Sequence, residues 1–181
     1  MVHVNVTKEE FNFREKLTRL DTEKIPYEKM PVGSIIQVQQ HHLYGAGQVQ
    51  TTSSSFQDSG LFIDFHPKFA NSRLLVTCEF NAQSGNQTNS GIRWSIFRNI
   101  NEAATSSSVN ILGNASQQMS IAYLSGSGYI HEGTSLTIED KPKTIKKVQY
   151  RLFFFSHNGN ASVGVARDWG GAHFTVMEVR E

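Results

Sequence analysis

The side chains best equipped for chemistry in this sequence are seven histidines: His3, His41, His42, His66, His131, His157 and His173. An imidazole ligates transition metals and exchanges protons near neutral pH, so grouping is what matters. None of the seven falls in an HExxH, an HxH or a Cys/His array, and the spacing of a metal site is missing. His41 and His42 adjoin, but successive residues of a strand point to opposite faces and do not readily share an ion. They are expected to be ordinary surface or interface histidines. A metal on a symmetry axis, taking one histidine per subunit, is the minor alternative. The lone cysteine, Cys78, carries no cysteine-enzyme signature, and no GxSxG elbow supplies a serine nucleophile. Cys78 sits in an apolar run and is expected in the core as a small hydrophobe. The carboxylates from Asp58 to Glu178 show no pairing that favours glycoside hydrolysis. Gly45-Ala46-Gly47 and Gly126-Ser127-Gly128 lack the phosphate-cradling patterns and read as flexible turns. No catalytic, cofactor-binding or metal-binding residue is assigned, and no enzyme activity is expected.

Two groups remain. Lys141, Lys143, Lys146 and Lys147 lie beside Glu139 and Asp140 and read as the solvated approach to a strand. Arg167-Asp168-Trp169, followed by Gly170-Gly171, is the best ligand-contact candidate. A cation, a carboxylate and an aromatic on a tight turn suit stacking on a sugar ring or anchoring a protein interface. The plainer alternative is a hairpin whose Trp169 covers the edge of a sheet.

The elements that would carry these residues follow from composition. The chain has 181 residues, 38% hydrophobic and 18% charged, with a formal net charge of +1. That length suits one domain, or one domain plus an arm. Near-neutral charge removes the footprint of a dedicated nucleic-acid binder. No apolar run approaches the ~18 residues of a membrane span, and the polar start does not resemble a secretory signal. Ser, Thr, Asn and Gln together number 54, a bias toward strands and exposed loops.

The charges are unevenly spread: residues 1–30 hold 12 of the 33, and the next 151 residues hold 21. The expected boundary falls at Pro31-Val32-Gly33, giving an arm over 1–32 and a second domain over 33–181. Thr7-Lys8-Glu9-Glu10 fits a capping box, and Phe13, Leu17 and Leu20 then share one face of a helix. A helix that short is marginal alone, so this face is expected to dock, either on its own domain or on an assembly partner. From Gly33 onward the pattern becomes period-two or short apolar runs. Strands are expected near 33–39, 60–65, 73–80, 91–98, 118–124, 147–156, 161–166 and 172–179. Eight strands without alternating helices predict an all-β, antiparallel sandwich, with a jelly roll as the leading form. The connections over 40–57, 83–90, 99–117 and 125–135 are long, small and polar, which marks them as functional or interfacial loops.

Several blocks also occur in a familiar order. They are PVGSIIQVQQ, then TTSSSFQDSGLFIDFHPKFANSRLLVTCEFNAQ, then GIRWSIFRN, VQYRLFFFS and AHFTVMEVRE. Over about 150 residues the chain resembles a β-sandwich module of tailed-phage virion proteins, particularly of marine and cyanobacterial phages. Gly33, Ser34, Gln37 and Val38 match its first block. Asp58, Gly60, Leu61, Pro67, Ser72, Arg73 and Leu75 match the second, Arg93 and Arg98 the third, and Met177, Glu178 and Val179 the last. Between Tyr123 and Lys147 the chain departs from the pattern, with a longer segment in place of a compact turn. The resemblance implies a homotrimeric, jelly-roll-like virion structural protein on a tail fibre, a baseplate fibre or the capsid exterior. Its implied partners are sister subunits, tail, baseplate or major capsid proteins, and a host-surface glycan if it binds a receptor; nucleic acid and membrane insertion are not implied. A capsid decoration protein is the alternative. A carbohydrate-binding or glycan-active domain of cellular origin ranks lower.

Overall fold

Apolar and β-branched residues at every second position force a sheet to bury one face, and two such faces close on each other. In the computed structural model, residues 26–43, 49–85, 87, 90–113, 119–124, 128–159, 162–165 and 171–181 are described. Two units divide the chain, Met1–Pro31 and Val32–Glu181. Of the first, the described part is a single 3-10 turn, Tyr27–Lys29, after Pro26. The expected helix bearing Phe13, Leu17 and Leu20 lies outside the described residues.

The second unit is an antiparallel β-sandwich. Its strands are β1 Ile35–Leu43, β2 Val49–Thr51, β3 Gln57–Phe65, β4 Arg73–Gly85, β5 Ser90–Ile100 and β6 Val109–Asn110. They continue as β7 Met119–Leu124, β8 Tyr129–Asp140, β9 Val148–Ser156, β10 Val163–Val165 and β11 Ala172–Val179. The long strands fall into two sheets, β1-β11-β4-β8 and β3-β9-β5-β7. Successive long strands thus cross between the sheets except at β5 and β7, which pair with each other, and the first and last long strands lie side by side. That order is the jelly roll expected from the sequence. Short β10 and β2 extend the first sheet, and short β6 extends the second.

Two expectations need correction. Residues 129–135 of β8 looked like part of a polar loop, and of the strand expected near 161–166 the described residues show short β10, Val163–Val165. The count of eight long strands is met with one member exchanged. β8 lacks a dense apolar run because it is an edge strand: its inward residues Ile130, Thr134, Leu136 and Ile138 are half-buried, while His131, Glu132, Gly133 and Ser135 face solvent. β11 pairs with Arg73–Glu79 of β4 and β10 with Ala82–Ser84, both antiparallel. β10 and β11 are therefore successive stretches of one lane beside β4, and Phe80 and Asn81 lie opposite the break.

The core between the sheets comes from the alternating inward residues. Leu74, Val76 and Cys78 of β4, Phe174 and Val176 of β11, Leu61 and Phe65 of β3, Ile96 of β5, and Tyr150, Leu152 and Phe154 of β9 are all fully buried. Phe80 and Trp94 meet edge to face across it, with ring centroids 5.2 Å apart. Cys78 sits where the sequence placed it, and burial pushes its thiol pKa well above the ordinary value. Asp58 and Gly60 explain an irregularity in β3. Gly60 has φ +77°, its N–H donates to Asp58 Oδ1 at 2.8 Å, and the register to β9 slips between Asp58 and Phe62. A glycine takes that left-handed conformation without the steric cost that a Cβ brings.

Candidate functional site

Many residues of the resembling blocks turn out to hold the fold. Glu178 on β11 is fully buried, and its carboxylate is saturated with donors. Oε1 accepts from Phe69 N–H at 3.0 Å and Ser72 Oγ at 2.7 Å, Oε2 accepts from Gln37 Nε2 at 2.7 Å, and Lys68 N–H reaches both oxygens at 2.9 Å. Gln37 also donates to the His66 carbonyl at 2.7 Å. Three blocks far apart in sequence therefore meet on one carboxylate, which ties β1, the 66–72 turn and β11 together. A buried charge is stable when hydrogen bonds satisfy it in this way. Gly33 N–H and the Ser34 carbonyl bond the Arg180 backbone at 2.9 and 3.0 Å.

A second cluster ties the two sheets together, with Asp140 on β8 of the first and Arg98 and Tyr150 on β5 and β9 of the second. Arg98 Nη1 donates to both oxygens of Asp140 at 2.8 and 3.0 Å, and Tyr150 Oη donates to Asp140 Oδ2 at 2.7 Å. Burial, with the Asp140 charge next to it, raises the Tyr150 pKa far above its ordinary range. Asp58 pairs with Arg151 at the surface, and the Arg151 guanidinium lies 4.7 Å from the centre of the Phe62 ring. These groups are occupied with one another.

The outward face of the first sheet is organised differently. Cross-strand register sets its side chains in rows over β1, β11, β4 and β8. One row is Gln40, Thr175, Thr77 and Thr137, with Gln40 donating to Thr175 at 3.1 Å and Thr77 and Thr137 sharing a bond of 2.8 Å. The next is His42, His173, Glu79 and Ser135. Here His173 Nε2 lies 2.9 Å from Glu79 Oε2, and Ser135 Oγ donates to Glu79 Oε1 at 3.1 Å. Beyond that row, beside Phe80 and Asn81, a groove of about 350 Å³ opens. Glu79, Asn81, Gly133, Ser135, Gly171 and His173 line it. It lies on β4 where the β10–β11 lane is broken. The Asn81 amide makes no hydrogen bond among the described residues.

The sequence candidates separate clearly against this geometry. His41 and His42 do point to opposite faces: His41 stacks on Phe62 at 5.3 Å, and His42 tilts against His173 at 5.1 Å. His131 and His66 are exposed, and His157 donates its N–H to the Gly91 carbonyl at 2.8 Å. Among the described residues, no group of three or more His, Cys, Asp or Glu is arranged to hold a metal ion. Arg167, Asp168 and Trp169 lie outside the described residues, although Gly171 just after them lines the groove. Glu79, Asn81, Gly133 and Ser135 were not singled out in the sequence. Their signal was available: Ile130, Thr134, Leu136 and Ile138 alternate with polar residues, the mark of a half-buried strand. The expected loop functions shrink accordingly. Residues 83–85 and 129–135 belong to strands, and part of 99–117 packs on its own sheet.

No protein-family model matches the chain, and neither does any curated protein sequence. Among solved structures, it is similar to the infectious bursal disease virus VP2 subviral particle, with a TM-score of 0.35 and 10% identity over 82% of this chain. It is also similar to the structure of the Gx strain of infectious bursal disease virus, with a TM-score of 0.34 and 12% identity over 81% of this chain. The matches cover 38% and 42% of those chains, so this chain spans well under half of their length.

Proposed function

We propose that this chain is a structural subunit of a tailed-phage particle, a homotrimeric tail-fibre or baseplate-fibre protein that attaches to the particle and to the host surface. The observation that carries the proposal is the meeting of Gln37, the 66–72 turn and Glu178 on one buried carboxylate. The blocks through which the sequence resembles phage virion modules are thereby parts of a single folding unit, and their order is explained by that unit. The role is mechanical and adhesive, without a catalytic step. Three weak sites on one rigid trimer would gain avidity from effective concentration.

Electron microscopy of labelled protein on intact virions tests the location. Label on tail or baseplate is expected; label confined to the head, with binding of the purified protein to expanded empty capsids, would replace the fibre by a capsid decoration role. Sedimentation of the full chain tests assembly. A stable monomer at micromolar concentration would remove the trimer.

A further inference from the structure

We propose that the groove across β4, β8 and β11 is a carbohydrate subsite that takes a neutral, polyhydroxylated ring edge-on. The inference rests on the attachment role proposed above and names its ligand class. Three observations carry it. First, the groove presents both hydrogen-bonding polarities. Glu79 already accepts from His173 and Ser135, which fixes its carboxylate and leaves the lone pairs of Ser135 Oγ free to accept. The half-buried Asn81 amide has both a donor and an acceptor unused among the described residues. Each hydroxyl of a vicinal diol donates one bond and accepts others, which matches an amide beside a hydroxyl. Second, the charge selects against anions. The carboxylate of Glu79 faces the groove, and a phosphate or sulfate placed there would meet a like charge. Third, the rims are glycines. Gly133 and Gly171 are exposed, and a Cβ built on Gly133 would find its nearest neighbour, Asn81 Oδ1, at 3.6 Å. Among the described residues these two rim positions raise no side-chain wall, which suits one residue of a long chain better than an enclosed small molecule.

The spare space at Gly133 supplies the decisive variant. Gly133→Gln fits the backbone of β8 without strain and places a side chain across the groove. Full-length protein would be screened on an array of neutral and acidic bacterial surface oligosaccharides, and the strongest neutral ligand titrated by calorimetry. Wild type is expected to bind neutral oligosaccharides and to pass over acidic ones. Asn81→Ala and Ser135→Ala should each weaken binding about five- to tenfold, the worth of one hydrogen bond. Gly133→Gln should abolish it, and Thr137→Ala, on the same face outside the groove, should change nothing. Circular dichroism and sedimentation should match wild type for all four variants. Binding that survives Gly133→Gln, binding restricted to acidic glycans, or no binding by wild type would each overturn the subsite. Label on virions with no glycan binding sinks the subsite and leaves attachment to the particle standing. Groove-dependent glycan binding with no label on virions does the reverse.

Discussion

On the second sheet, Phe97 and Phe153 point away from the main core and yet are 0% and 6% exposed. The chain covers them itself. Phe56 meets Phe97 edge to face at 5.1 Å, Phe97 meets Phe153 at 5.3 Å, and Ala104 closes the cluster from the loop after β5. The Ala104 N–H donates to Gln149 Oε1 at 2.9 Å, which pins that loop down. On the first sheet, the equivalent outward positions are Thr77, Thr137, Thr175 and Gln40, bonded to each other and uncovered by any described segment. One outer face is a second small core; the other carries these polar rows beside one apolar row, Val38, Met177 and Leu75, with Val38 exposed. An apolar outer face must be shielded from water by something; rows of hydrogen-bonded threonines and amides are stable in water without a cover. The contrast places a covered apolar cluster on one sheet and open hydrogen-bonded rows on the other.

The largest test of that contrast is Phe97→Ala. Removing a fully buried ring should cost about 3–5 kcal/mol in denaturant unfolding, and a loss below about 1 kcal/mol would mean the second face is not a true core. Next comes Glu178→Leu, at the rim that joins β1 to the 66–72 turn. It strands the Lys68 and Phe69 N–H groups and the Ser72 hydroxyl, so a loss of about 3 kcal/mol or more is expected. A melting temperature equal to wild type would show that the cage is not needed.

The inner faces should respond to pH alike, whatever their outer faces do. Cys78 on the first sheet and Tyr150 on the second both have pKa values raised by burial from ordinary values of 9.0 and 10.0. Above those ordinary values the unfolded chain has lost protons that the folded chain keeps. Stability is therefore complete below about pH 9 and falls as pH rises, by up to about 1.4 kcal/mol per pH unit for each group. Urea midpoints from pH 8 to 11 would measure this, and Tyr150→Phe should flatten the upper part of the curve. A midpoint independent of pH over that range would show both groups to be solvated. The smallest effect is on the open face, where Thr175→Ala should change stability by about 0.5 kcal/mol or less. A cost comparable to that of Phe97→Ala would erase the distinction between the two faces.

How far the site was legible depended on burial. Strands buried on their inner face, such as β4 and β9, announce themselves through dense apolar runs. β8 has only one neighbour and a half-covered inner face, so its polar residues outnumber its apolar ones, and it looked like a loop. Gly133 and Ser135 were hidden with it. Glu178 looked like any charged residue near the end of a strand, because the five donor contacts around it come from residues more than a hundred positions away.

The sequence by itself determined the class of fold, the positions of most strands, the core location of Cys78 and the opposed directions of His41 and His42. All of these follow from local periodicity, which a chain carries in its own order of residues. Only the tertiary structure decided which strands pair, which outer face is covered, and that Glu79, Asn81, Gly133 and His173 share a groove. Those outcomes depend on long-range register between β4, β8 and β11, and no local pattern encodes which distant strand will lie alongside.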